Sequence, residues 1–63
     1  MSSDDAVAIR KVNNFWYVVY YFADNVENTD NFFQQKGLKF NDLESAMRYG
    51  SNIHAEYGVV LFN

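Results

Sequence analysis

The chain has 63 residues, and a domain of this length buries only about 60% of the surface that its unfolded form exposes. It contains no cysteine, which excludes disulfides, thiolate metal sites and a cysteine nucleophile. Hydrophobic residues make up 49% of the sequence and aromatic residues 19%, a composition too apolar for an intrinsically disordered protein. The net charge of −3 disfavours nucleic acid and anionic lipid as partners.

The first five residues, Met-Ser-Ser-Asp-Asp, are small, polar and acidic. We expect residues 1–5 to form a flexible tail in front of a single domain at residues 6–63. No run reaches the roughly 18 apolar residues that a membrane span requires, and an acidic start is unlike the basic start of a signal peptide. A cytoplasmic protein without membrane contact is therefore expected.

The next residues predict a β-hairpin, with strands at 6–12 and 15–22. The first strand is rich in β-branched side chains. Asn13 and Asn14, between the strands, tolerate the positive φ that a two-residue hairpin turn requires.

The second strand is apolar on both faces. All eight residues are aromatic or valine, and strand geometry points alternate side chains to opposite faces. One face receives Phe15, Tyr17, Val19 and Tyr21, and the other Trp16, Val18, Tyr20 and Phe22. This pattern is typical of a central strand that is covered on both sides.

Residues 23–31 are acidic and rich in turn-forming residues, which indicates a solvated loop. Its carboxylates are Asp24, Glu27 and Asp30. A calcium-binding loop that started at Asp24 would need glycine and glutamate where the sequence has Thr29 and Gln35, so no metal site is expected. An alternative role for the three carboxylates is contact with a basic surface on another protein.

Residues 32–40 fit a short strand or an extended segment, with Gly37 as an interruption. A helix is predicted to begin at Asp42, because Asn41 is a suitable N-cap and Glu44 lies three positions later. Its apolar stripe contains Gly50, which would let the backbone approach the sheet closely. Gly58 is the expected left-handed C-cap, and residues 59–62 are predicted to form a last strand, too apolar for an exposed edge.

These elements predict an α+β fold. A small, mostly antiparallel sheet, made of the N-terminal hairpin, the C-terminal strand and a further short strand left open, packs on a single α-helix. The last strand could lie parallel to a hairpin strand. One helix covers one sheet face, so a second copy would cover the other, which predicts a homodimer. The alternative is that the loop with Phe32 and Phe33 folds over the second face.

The sequence offers no catalytic motif. His54 is the only histidine, which leaves a metal shell unfilled, and no nucleophile or phosphate-binding motif is present. We therefore expect a protein that is not an enzyme and needs no cofactor or metal.

A protein-binding domain of the regulatory, adaptor or inhibitor type is the predicted function, since tyrosine and tryptophan concentrate binding energy at interfaces. The candidate interface residues are Trp16, Tyr17, Tyr20, Tyr21, Phe32 and Phe33. The alternative is a single-stranded nucleic-acid-binding module, in which bases stack on the sheet aromatics beside Arg10 and Lys11.

Overall fold

The computed structural model describes residues 5–22, 25–53 and 58–62. In chain order, the elements are β1 (Asp5–Val12), β2 (Phe15–Phe22), α1 (Asp30–Lys36), β3 (Leu38–Phe40), α2 (Leu43–Ser51) and β4 (Val59–Phe62). The strands form one sheet in the order β3-β2-β1-β4. The predicted α+β class with a mostly antiparallel sheet is confirmed. Residues 1–4 of the expected tail lie outside the described residues, whereas Asp5 belongs to β1.

The hairpin has the predicted turn. β1 and β2 pair antiparallel along their whole length, from Asp5 opposite Phe22 to Val12 opposite Phe15. Asn13 and Asn14 have φ angles of 53° and 70°, the left-handed values that a tight hairpin turn with matching twist requires. The turn therefore fixes the register, and with it the face to which every side chain of both strands points.

The last strand lies parallel to β1, as the sequence allowed. Val7 pairs with Val59 and Arg10 with Phe62, and the Val7 N–H donates to the Gly58 carbonyl at 2.9 Å. Gly58 has the left-handed φ that was predicted, 84°, but it directly precedes β4 and is not the C-cap of α2, which is Asn52; residues 54–57 before it lie outside the described residues. The prediction that this apolar strand avoids the sheet edge is corrected: β4 is the terminal strand of the described sheet.

Residues 30–36 form a helix, where the sequence suggested a strand or an extended segment. The Thr29 hydroxyl caps α1 by accepting a hydrogen bond from the Phe32 N–H at 3.2 Å. The Gly37 N–H closes the other end on the Phe33 carbonyl at 2.9 Å. Asp30 in the first turn and Lys36 in the last suit the helix dipole.

The predicted helix is present as α2, but it begins one residue late and is shorter than expected. Asp42, not Asn41, is the N-cap, and its carboxylate accepts from the Ser45 N–H at 2.7 Å. Glu44 pairs with Arg48 at 3.1 Å and does not complete a capping box. α2 ends at Ser51, and His54 lies outside the described residues.

Each sheet face carries its own helix and its own buried cluster. We call the two sides the α1 face and the α2 face. The clusters are Ala8, Val12, Val19 and Phe33 on the α1 face, and Val7, Ile9, Val18 and Ala46 on the α2 face. The sequence predicted a single helix and an uncovered second face, but α1 covers that face, so no uncovered sheet face requires a second copy. The segment with Phe32 and Phe33 covers that face, as the alternative proposed, although it does so as a helix.

Gly50 has the predicted role. A Cβ atom there would lie 3.1 Å from Cγ1 of Val7, which is closer than side chains normally pack. The missing side chain lets α2 approach β1 at the centre of the α2 face.

Candidate interaction surfaces

The six aromatic candidates do not form one surface. Because β2 is a regular strand, its side chains alternate between the two faces. Trp16 and Tyr20 lie on the α2 face, whereas Tyr17 and Tyr21 lie on the α1 face with Phe32 and Phe33. The candidates therefore divide between opposite sides of the sheet.

The α1 face is closed by the chain's own aromatics. Phe33 is fully buried, and its ring lies 5.8 Å from that of Phe32 and 5.9 Å from that of Phe62. Tyr21 meets Phe62 edge to face at 6.4 Å, and Tyr17 packs against the same cluster. The structure corrects the assignment of Phe33, which belongs to the core and is out of a partner's reach in this fold.

A charged contact ties the start of α1 to the sheet. The Arg10 side chain projects from β1 onto the α1 face and is only 17% exposed. Its Nη2 and Nε lie 2.7 and 2.9 Å from Oδ1 of Asp30, and its Nη1 donates to the Asn28 side chain. Asp30 is thus the first residue of α1 and anchors it, where the sequence predicted a solvated loop carboxylate.

The rest of the acidic loop has little in common with a charged docking site. Glu27 is exposed, and Asp24 lies outside the described residues. Glu27 lines an open groove of about 310 Å³ with Asn25, Asn31, Phe32, Gln35 and Lys36. Within residues 5–22, 25–53 and 58–62, no three acidic or histidine side chains come together as metal ligands would.

The α2 face exposes a group of apolar side chains that α2 does not cover. Tyr20, Phe22 and Leu38 are 49%, 54% and 51% exposed. The rings of Tyr20 and Phe22 lie 6.3 Å apart. Leu38 pairs with Val18, which precedes Tyr20 by two positions and therefore lies on the same face of β2. We call these three residues the corner patch, because they lie where β2 extends past the short strand β3.

The Tyr20 hydroxyl is fixed at the margin of this patch. It donates to the Asp5 carboxylate at 2.6 Å, across the hairpin. This hydrogen bond to a carboxylate, with smaller effects of burial and charge from the same group, raises the pKa of Tyr20. The bond holds the polar end of the ring against β1 and leaves Phe22 beside it uncovered.

Trp16 lies at the opposite end of β2 and is partly buried against the α2-face cluster. The Lys11 ammonium lies 5.7 Å from its ring centroid, within reach of a cation–π contact. On the other face, Lys39 lies 4.3 Å from the ring of Phe15. These two cation–aromatic pairs therefore point to opposite sides of the sheet.

The two sheet edges are also unlike. β3 has three residues and carries Lys39, whereas β4 has four residues without a charge. Leu61 of β4 is 57% exposed on the α2 face. Of the five exposed large apolar residues, the sequence indicated Tyr20 but not Tyr49 on α2, nor the strand residues Phe22, Leu38 and Leu61. The exposure of these strand residues depends on where α2 ends and on the strand order, which no local pattern reveals.

Comparisons with known proteins add no functional information. No family model matches the chain, and neither a search of curated proteins nor a search of solved structures finds a match. None of the helices formed by the described residues has the length and apolar character needed to cross a membrane.

Proposed function

We propose that the protein is a small, non-catalytic protein-binding domain that acts as a homodimer in the cytoplasm. The corner patch is the observation that carries the binding role. Phe22 and Leu38 are each about half exposed, so covering either of them contributes on the order of 1 kcal/mol. Exposed apolar side chains grouped on one face of a small protein mark interaction sites.

The chemistry of the patch suits a protein partner. Tyr20 combines a large apolar ring with a hydroxyl that is already hydrogen-bonded, which is the mixed character that binding sites use. Apolar side chains from another protein could pack against Phe22 and against Leu38, while the Tyr20 hydroxyl remains in contact with solvent. A regulatory, adaptor or inhibitor role fits such a surface.

The nucleic-acid alternative loses support from the position of its cations. Arg10 is occupied by Asp30 and Asn28 on the α1 face. Lys11 and Lys39 lie on opposite faces, so they do not line one groove that could follow a phosphate backbone.

The proposed compartment is the cytoplasm. The excess of eight acidic over five basic residues disfavours attachment to anionic membrane surfaces. Fractionation of host cells, with detection by an antibody against the protein, tests this. Recovery in the membrane fraction or the medium would contradict it.

The binding role is tested with Phe22→Ser as the patch variant and Gln34→Ser as its matched control. Gln34 is an exposed residue of α1, so its substitution leaves the patch intact. A protein captured from the host by the wild type is then purified and titrated against all three chains. We expect Phe22→Ser to bind at least about tenfold more weakly and Gln34→Ser to bind normally. Equal affinity for all three would contradict the proposed surface.

A further inference from the structure

The outer edge of β4 presents backbone groups that the described residues leave without a strand partner. In a parallel ladder, alternate residues of an edge strand bond to the neighbouring strand. The Gly58 carbonyl accepts from Val7, so Gly58, Val60 and Phe62 face β1. Val59 and Leu61 therefore direct their N–H and C=O groups away from the sheet.

Within residues 58–62 this edge is short, but it otherwise lacks the features by which proteins usually protect a terminal strand. Residues 58–62 contain no charge and no proline, and the pairing with β1 is regular. The opposite edge is protected, because β3 is three residues long and carries Lys39 at its centre. An uncharged, apolar edge strand is a template for pairing with another strand.

The same edge is complementary to itself. If two copies of β4 run antiparallel about a two-fold axis at Val60, Val59 lies opposite the partner subunit's Leu61, and Leu61 lies opposite the partner subunit's Val59. Outward-facing residues that lie opposite each other form hydrogen-bonded pairs that exchange both N–H···O=C bonds. Every outward backbone group of Val59 and Leu61 thus finds a partner, and no like charges are brought together.

The side chains agree with this register. Val59 and Leu61 share the α2 face of β4, and Leu61 is the most exposed of the large apolar residues described, at 57%. In the paired arrangement, apolar side chains from both copies lie side by side along the line where the two β4 strands meet, which we call the β4 seam. Because each β4 edge is used once, the assembly closes as a dimer and does not grow into a fibre.

We propose that β4 pairs antiparallel with β4 of a second copy and joins the two sheets into one continuous sheet. The proposal names the partner surface of the homodimer and rests on that part of the proposed function. It leaves the corner patch, two strands away, free for a different protein.

Leu61→Lys tests the seam, and Leu38→Lys is its matched control. Both leucines lie on the α2 face of edge strands and are about equally exposed, at 57% and 51%. We measure the dimer dissociation constant of each purified chain by sedimentation, after circular dichroism has confirmed folding. Leu61→Lys is expected to raise the Kd by about tenfold or more, and Leu38→Lys to leave it unchanged.

The outcomes separate the inference from the proposal on which it rests. A wild-type chain that stays monomeric at millimolar concentration contradicts the homodimer itself. A wild-type dimer that Leu61→Lys leaves intact, or that both substitutions weaken equally, overturns the β4 seam while the homodimer stands. A dimer lost only with Leu38→Lys assigns self-association to the corner patch, which also overturns the seam.

Amide hydrogen exchange is a second test of the β4 pairing, and it needs no sequence variant. The Val60 and Phe62 amides face β1, so their protection should be the same in monomer and dimer. The Val59 and Leu61 amides should gain protection only as the protein concentration rises through the Kd. Concentration-independent exchange at Val59 and Leu61 in a chain that does dimerise would overturn the proposal.

Discussion

The two faces of one sheet are covered in different ways. On the α1 face, a helix of seven residues brings the large ring of Phe33 against small and branched side chains. On the α2 face, a helix of nine residues approaches closely through Ala46 and Gly50 and covers only the centre. On the α1 face a large buried ring fills the space between helix and sheet, whereas on the α2 face small residues bring helix and sheet together while Tyr20, Phe22 and Leu38 stay exposed. The exposed corner patch follows from the second arrangement.

The largest expected effect comes from removing the ring that seals the α1 face. Phe33→Ala should lower the free energy of unfolding by roughly 3–5 kcal/mol, because it empties a fully buried position. Phe22→Ala, the same change at the corner patch, should cost about 1 kcal/mol or less. Urea denaturation of both variants measures the difference. Similar losses for the two would contradict the contrast between the faces.

The close approach of α2 is tested by adding volume at Gly50. Gly50→Leu should destabilise the fold by roughly 1–3 kcal/mol, because even its Cβ would lie 3.1 Å from a buried Val7 methyl group. Ser51→Leu, the same addition at the exposed neighbouring position, is the control and should change stability by about 0.5 kcal/mol or less. Equal stability of the two variants would show that α2 lies further from β1 than described.

The anchor of α1 is tested by a double-mutant cycle on Arg10 and Asp30. Asp30 is 58% exposed, which weakens the electrostatic contribution, so a coupling energy of about 1 kcal/mol is expected from the hydrogen-bonded pair. The i,i+4 pair of Glu44 and Arg48 on α2, which is exposed at both ends, is the control and should couple by about 0.3–0.5 kcal/mol. A coupling energy for Arg10 and Asp30 that is smaller than that of Glu44 and Arg48 would contradict the anchoring role.

The smallest effect is a difference in how acid affects the two helices. The Ser45 N–H bonded to the Asp42 carboxylate lowers the pKa of Asp42, whereas the α1 cap is the neutral hydroxyl of Thr29. Because the pKa of Asp42 is lower in the folded state, the ionised carboxylate stabilises the fold. This stabilisation is fully present above the ordinary carboxyl pKa and is lost as pH falls through the pKa of the folded state.

The non-titrating variant Asp42→Asn isolates this contribution, because asparagine keeps a capping oxygen. The stability difference between wild type and Asp42→Asn should be largest near neutral pH and shrink towards the most acidic conditions in which the chain stays folded. Thermal melts across this pH range measure it. A difference that does not vary with pH would contradict the role of the charged cap.

Local signals in the sequence were sufficient for the elements whose structure is set by near neighbours. The Asn13-Asn14 turn, both hairpin strands, the α2 cap region and Gly50 all follow from residue types a few positions apart. α1 was missed for a local reason as well. Its cap residue Thr29 has Phe32, not a glutamate, at the third helical position, and seven residues are too few to show a helical period.

The surfaces could not be predicted in the same way. Arg10 and Asp30 meet across 20 positions of sequence, and nothing in either neighbourhood indicates the other. Leu38 and Leu61 lie among strand-forming residues, and their sequence neighbours do not distinguish them from buried strand residues. Their exposure arises from the strand order, which places β3 and β4 at the two edges, and from the early end of α2.

Hydroxyl-radical footprinting of the isolated protein tests the central claim most directly, because it reads side-chain exposure residue by residue. In the folded chain, the α1 face is sealed by the protein's own residues, whereas the corner of the α2 face stays open. We expect rapid oxidation of Phe22 and Leu38 and strong protection of Phe33. Oxidation of Phe33 at a rate comparable to that of Phe22, in a chain shown to be folded, would contradict it.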